Sequence, residues 1–291
     1  MDFDAWDIDP FHLETRRAAP GAHEARIVRA DPLRAEVRFV RALSAASTLT
    51  QTVRLDAGAG RLEVHTEVAW HERHTLLKAA FPLAVRAARA TFEVAFGHAE
   101  RPTHGSTAAD AAQYEVPAHR WADLSEHGFG VALLNDGKYG HSAHGDVLRL
   151  TLLRAPTHPD PEADQGVHRF AYAVVPHAGG WREAGIVAEA ARLNHPLRWA
   201  AGTGAGRSLA AVDQPALVLD TIKRAEDSDR IVLRLYEAHG GRGTARVTLD
   251  PPPVAARRAN LLEDPGPPLA VEDGALVVPY LPHEVITILV D

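Results

Sequence analysis

Cysteine is absent from the 291 residues, which excludes disulfides, thiolate metal sites and cysteine nucleophiles. Long apolar runs are absent too. None approaches the roughly 18 residues a bilayer-spanning helix needs, so no membrane partner is expected. The N-terminal residues MDFDAWDIDP have neither the basic start nor the apolar stretch of a secretory signal, and a cytoplasmic location is the expectation. An excess of positive charge is missing as well: 31 basic against 38 acidic side chains leave a net charge of -7, which speaks against a general nucleic-acid binder. Lysine occurs only at Lys78, Lys138 and Lys223, the other basic residues being arginine, a skew that reads as GC-rich coding. There is no G-x-S-x-G elbow, no P-loop, and no G-x-G-x-x-G between a strand and a helix. Gly202, Gly204 and Gly206 have the spacing of a glycine loop without the flanking elements that would make it a phosphate cradle.

What is present is period-2 alternation. In 61–70, Leu62, Val64, Thr66, Val68 and Trp70 fall on one face and Arg61, Glu63, His65 and Glu67 on the other, as in a strand with one side on a core. The run 48–55 behaves alike, and the glycine-containing segment 56–60 between them suits an antiparallel hairpin. Further strands are expected at 36–41, 76–81, 90–96, 130–134, 147–153 and 169–175, and 84–90 reads as strand despite its alanines. Asp31-Pro32 marks one turn, and Gly97 and Pro102 bound another. One helix is expected near 183–194, with Ile186, Val187, Ala190, Ala191 and Leu193 at helical spacing and Pro196 just beyond. The small residues of 200–206 read as a linker. Strand candidates at 216–222, 231–237, 245–249, 275–278 and 285–290 follow, either a sandwich of their own or strands completing the first. The class is all-β, built as antiparallel sandwiches.

Seventeen histidines raise a metal hypothesis. His71-Glu72-Arg73-His74 is one residue short of H-E-x-x-H, and histidines three apart on an extended chain point to opposite faces. His141 and His144 meet the same objection. Two acidic groups, Asp4, Asp7 and Asp9, and Asp160, Glu162 and Asp164, supply carboxylates for a glycosidase pair, but nearness in sequence does not set two carboxyls about 5 Å apart across a sugar. The loop 135–142 is the most informative segment. Asn135, Asp136, Lys138, Tyr139 and His141 combine hydrogen-bonding, charged and aromatic groups with Gly137 and Gly140 between them, which suits contact with a sugar or a neighbouring domain. A hairpin turn capping a sandwich edge is the competing account. The residues themselves yield no catalytic constellation.

Several strings, in order along nearly the whole chain, carry a resemblance: Asp4-Ala-Trp-Asp-Ile-Asp9, Trp70-His-Glu-Arg73 with Leu77-Lys-Ala-Ala-Phe-Pro82, and Arg101-Pro-Thr-His104. His119-Arg-Trp-Ala-Asp-Leu-Ser125, Leu134 through Ser142, Leu152-Leu-Arg-Ala-Pro156 with Pro159-Asp-Pro161, Arg234-Leu-Tyr-Glu-Ala238 and Pro282-His-Glu-Val-Ile-Thr287 complete it. Together they resemble the C-terminal region of glycoside hydrolase family 38, the α-mannosidases. The resemblance implies a galactose mutarotase-like antiparallel β-supersandwich over 1–205, cut from a longer polypeptide, followed by a small β-sandwich over 206–291. It implies a retaining mechanism whose aspartate nucleophile and zinc ligands lie in a preceding α/β barrel, so no catalytic or metal residue and no cofactor is carried over to this chain. The partners it implies are that catalytic domain, a mannoside and, through an uncovered apolar face, a second copy of the chain. The loop residues Asn135, Asp136, Lys138, Tyr139 and His141 are then the candidate contacts, and an aldose epimerase using His141 with Glu72 or Glu115, or a carbohydrate-binding module presenting Trp6 or Trp181, are the alternatives.

Overall fold

The structure, a computed structural model, describes residues 4–202 and 206–291. It falls into two compact units, Met1–Glu93 with Glu100–Pro196, and Val94–Ala99 with Leu197–Asp291. No helix among the described residues is long and apolar enough to cross a membrane.

The first unit holds β1 (Glu24–Asp31), β2 (Arg34–Ala42), β3 (Thr48–Asp56), β4 (Leu62–Trp70), β5 (Leu77–Pro82), β6 (Arg89–Val94) up to Glu93, and the part of β7 (Gly97–Pro102) from Glu100 on. After a one-turn helix α1 (Ala108–Ala111) come β8 (Val116–Pro117), β9 (Trp121–Glu126), β10 (Phe129–Asn135), β11 (Gly140–His144), β12 (Val147–Leu153), β13 (Gly166–Ala178) and α2 (Ile186–Asn194). They form a nine-stranded sheet ordered β1-β2-β3-β4-β13-β10-β9-β6-β7 and a four-stranded sheet ordered β5-β12-β11-β8. Alternation decides which side chains meet between them. Val64, Val68 and Trp70 from β4 and Phe170 and Tyr172 from β13 share one core with Leu148, Leu150 and Leu152 from β12. The hairpin expected at 56–60 joins β3 to β4 in a register that pairs Val53 with Val64.

The second unit adds β14 (Ala210–Val212), β15 (Leu217–Arg224), β16 (Ile231–Glu237), β17 (Gly243–Leu249), β18 (Ala256–Ala259), β19 (Pro265–Glu272), β20 (Ala275–Tyr280) and β21 (Val285–Val290). β19 pairs with β18 through its first half and with β20 through its second, so it links two halves of one eight-stranded sheet. Leu233, Leu235 and Ile288 from one half pack with Val247, Leu276 and Val278 from the other.

The all-β antiparallel class is therefore observed, with local departures. Gly97 and Pro102 do not bound a turn; they are the ends of β7. Residues 83–88 are neither strand nor helix, although Leu83, Val85 and Ala87 turn toward the core and alternate with exposed Ala84, Arg86 and Ala88. The expected helix begins at Ile186, after Gly185, which stands in the left-handed region (φ 67°) as its N-cap. Of the expected linker 200–206, residues 203–205, which carry the expected 205/206 boundary, lie outside the described residues.

Candidate functional site

The segment 135–142 is less of a loop than its glycines suggest. Asn135 ends β10 and Gly140 opens β11, leaving 136–139 as the connection. Asn135 is fully buried and organises the turn: its Oδ1 accepts from the Gly137 and Lys138 N–H groups (3.1 and 2.7 Å), and its Nδ2 donates to the His119 carbonyl (2.9 Å). Gly137 takes a φ of 92°, where a Cβ is strained. At the far end of α2, Asn194 Nδ2 donates to the Asn135 carbonyl (2.9 Å), tying the helix to the turn.

Asp136 faces the nine-stranded sheet. Its carboxylate accepts from the Ala171 N–H (2.8 Å) while its own N–H donates to the Ala171 carbonyl (3.2 Å), so it extends β10 by one residue along β13. Burial pushes its carboxyl above the ordinary aspartate value. The ladder registers place Arg38 opposite Thr52, Thr52 opposite His65, and His65 opposite Ala171. A cross-strand row Arg38–Thr52–His65–Ala171–Asp136 results, in which small Ala171 keeps His65 and Asp136 apart. It forms the floor of a groove of about 650 Å³ lined also by Thr50 and Arg169. Arg38 Nε is buried there without a hydrogen-bond partner among the described residues, whereas Arg169 is paired with Glu67 (2.7 Å). The groove thus presents hydroxyls, a guanidinium, an imidazole and a carboxylate, a set suited to a strongly hydrogen-bonding ligand.

Lys138 lies over the Phe170 ring, its Nζ 4.4 Å from the centroid, and burial lowers its ammonium. Tyr139 is 56% exposed and lies beside His119, with ring centroids 5.5 Å apart; its carbonyl accepts from the Ala118 N–H (2.9 Å). Of the candidate residues, Asp136, Lys138 and Tyr139 are therefore at the rim, with Tyr139 the most accessible.

His141 is not. In β11 it is fully buried, points to the core against Phe92, and holds Nδ1 3.2 Å from the Tyr139 carbonyl. Burial pushes its imidazole down to about 4. That overturns the epimerase arrangement: His141 has no open face, Glu72 is bonded to Ser44, and Glu115 is taken by Lys78 and Thr151. Trp181 is likewise no platform, being buried against Trp121 with centroids 4.8 Å apart. Trp6 is exposed at 69%, beside His158.

The acidic groups hold backbone. Asp4 is buried and accepts from the Thr157 and His158 N–H groups (3.0 and 2.9 Å) with His74 Nδ1 at 2.9 Å. Burial would push its carboxyl up, but these donors and the His74 charge pull it to about 2. Asp164 accepts from Ala155, Asp160 from Glu162, and Glu162 pairs with Arg73. His141 and His144 point to opposite faces of β11, as alternation requires, and His144 approaches the Tyr114 carbonyl. Among the described residues no group of three or more His, Asp or Glu side chains is placed to hold a metal ion, so this part of the chain does not fit a zinc site.

The sequence reading missed the polar layer on the outer face of the four-stranded sheet. Lys78 and Thr151 are paired across β5 and β12, and Glu115 reaches both over Gly140, where a Cβ would lie 2.8 Å from its Oε1 and 2.9 Å from Thr151 Cβ. The signal was available: in β12, Arg149 and Thr151 alternate with three buried leucines.

Comparison with known proteins gives this geometry its context. Residues 1–162 match the family described as "Glycosyl hydrolases family 38 C-terminal domain", and residues 216–288 match "Glycosyl hydrolases family 38 C-terminal beta sandwich domain". "Alpha-mannosidase 2C1" of Homo sapiens is 45% identical over 99% of this chain, which spans 29% of that protein. "Alpha-mannosidase G" of Dictyostelium discoideum is 38% identical over 84% of the chain, covering 24% of its own length. A solved alpha-mannosidase from Enterococcus faecalis V583 shares the fold with a TM-score of 0.77 at 16% identity, over 92% of this chain and 35% of that one. The chain spans less than a third of the curated relatives it matches. It belongs to glycosyl hydrolase family 38, as a C-terminal region of that family.

Proposed function

We propose that the chain is the non-catalytic C-terminal β region of a retaining α-mannosidase, working beside a catalytic part of a longer polypeptide that carries the aspartate nucleophile and the zinc ion. The observation that carries this reading is alignment over almost its whole length with proteins named alpha-mannosidases more than three times as long. The carboxylates singled out support it, because Asp4 and Asp164 are committed to backbone N–H groups and Glu162 to a surface ion pair with Arg73. Terminal α-mannosides are the substrates this reading assigns to the longer enzyme, in the cytoplasm.

The region's own contribution is support, with the rim Asp136, Lys138 and Tyr139 lent to the catalytic part or to the sugar. Asn135 and His141 serve that rim from beneath. In the longer enzyme, Tyr139→Ala is expected to lower kcat/KM for an aryl α-mannoside or the unfolding temperature; a variant unchanged in both removes the rim contact. The division into a supersandwich over 1–205 and a small sandwich over 206–291 belongs to the same proposal. Exposed Trp6, Phe11 and Trp199 support self-association of the isolated chain. Light scattering is expected to show mass rising with concentration, and a monomer at every concentration refutes it.

A further inference from the structure

The outer face of the four-stranded sheet carries a guanidinium with a buried nitrogen that has no hydrogen-bond partner among the described residues. Arg149 stands between two small residues in its cross-strand row, Ala80 on β5 and Ser142 on β11. Its neighbours Leu148 and Leu150 point into the core, so its side chain leaves the opposite face, the face Ser142 shares. Arg149 is 8% exposed and Ser142 fully buried, and Arg149 Nη1 and Ser142 Oγ are both buried without a hydrogen-bond partner among the described residues.

The surrounding charges do not answer it. Glu115 is the carboxylate whose charge Arg149 feels, but its two oxygens are taken by the Lys78 ammonium and the Thr151 hydroxyl. The N-terminal segment, held by the Tyr114 hydroxyl on the Ile8 carbonyl (2.8 Å), adds Arg16, whose charge also acts on Arg149. Arg16 thus adds like charge at Arg149, as Arg149 does at Lys78, and Glu115 is the carboxylate that acts on both Arg149 and Lys78. A guanidinium cannot shed its proton, and a buried one without an acceptor is costly.

We propose that Arg149 and Ser142, with Lys78 beside them, form a binding site for a small oxyanion. The guanidinium supplies paired N–H donors and charge, and the serine hydroxyl a further donor. Ala80 and Ser142 are the small residues that flank the guanidinium in its row, Ala80 exposed and Ser142 buried. The two sources of such chemistry are a free phosphate-like ion and a carboxylate. This site is separate from the Asp136 rim and does not depend on its role.

Thermal unfolding of the 291-residue chain in chloride buffer, titrated in parallel arms with sodium phosphate and sodium acetate at constant ionic strength, tests the site. The unfolding temperature is expected to rise saturably in at least one arm, and the arm that responds identifies the source. Arg149→Met is expected to weaken the apparent affinity by about tenfold or more, and to lose no stability in chloride alone because a buried charge has been removed. No saturable rise for the unaltered chain in either arm overturns the proposal, as does an equal rise in Arg149→Met. Should that variant fail to fold, Ser142→Ala gives the same reading: a weaker response supports the site and an undiminished one overturns it.

Discussion

Gly140 and His141 are neighbours in sequence that fail for opposite reasons when changed. Gly140 holds open the space through which Glu115 reaches Lys78 and Thr151. Gly140→Ala is expected to cost about 1–3 kcal/mol of stability, read from urea unfolding. His141 is a core residue kept neutral by burial, with an imidazole at about 4 against an ordinary value of 6.5. The unfolded chain therefore binds a proton on this group between those values while the folded chain does not. Stability from this site is fully present above about pH 6.5 and falls by about 3 kcal/mol as the pH drops toward 4. His141→Leu is expected to flatten that part of the stability profile, and a profile of unchanged slope contradicts the assignment. The sequence offered both residues as parts of an exposed loop. A pair of glycines does not distinguish a turn residue with positive φ, which Gly137 is, from a strand residue kept small by a neighbour, which Gly140 is. That difference rests on Glu115, twenty-five residues away, and no local pattern carries it.

Elements were more legible than side chains. The strands 147–153, 231–237 and 285–290 were expected with their observed ends, because each is an apolar-rich run bounded by turns, alternating in 147–153 and nearly continuous in 285–290. Strands without apolar alternation were missed: β1 is exposed at nearly every position and paired on one side only. Connections held by a single acid were equally hidden. Fully buried Glu237, at the end of β16, accepts from the N–H groups of His239, Gly240, Gly241 and His283 (2.8 to 3.1 Å). Burial alone would push its carboxyl up, but these four donors hold it below the ordinary glutamate value. Its contribution is present above the unfolded glutamate pKa and is lost as the pH falls through the lower folded one. Glu237→Gln is expected to cost about 1–3 kcal/mol and to raise hydrogen exchange at 239–241 and 283 together. Exchange rising in only one of those segments contradicts a shared anchor. Asp4 does the same for the first unit, joining the N-terminal segment to 157–158. Asp4→Asn is expected to expose 4–15 to limited proteolysis while the sheets stay protected.

At the scale of the whole molecule, fold and family were readable and chemistry was not. The strings that carry the family resemblance were legible as a set, yet several fall on anchors such as Asp4 or core residues such as His141, not on reacting groups. The proposed supporting part in a mannoside-cleaving enzyme is tested most directly by hydrolysis of an aryl α-mannoside by the purified 291 residues, with and without added zinc. No release of the aryl group above the uncatalysed blank is expected in either condition. Turnover at an enzymatic rate, lost on chelation and restored by zinc, would contradict the account.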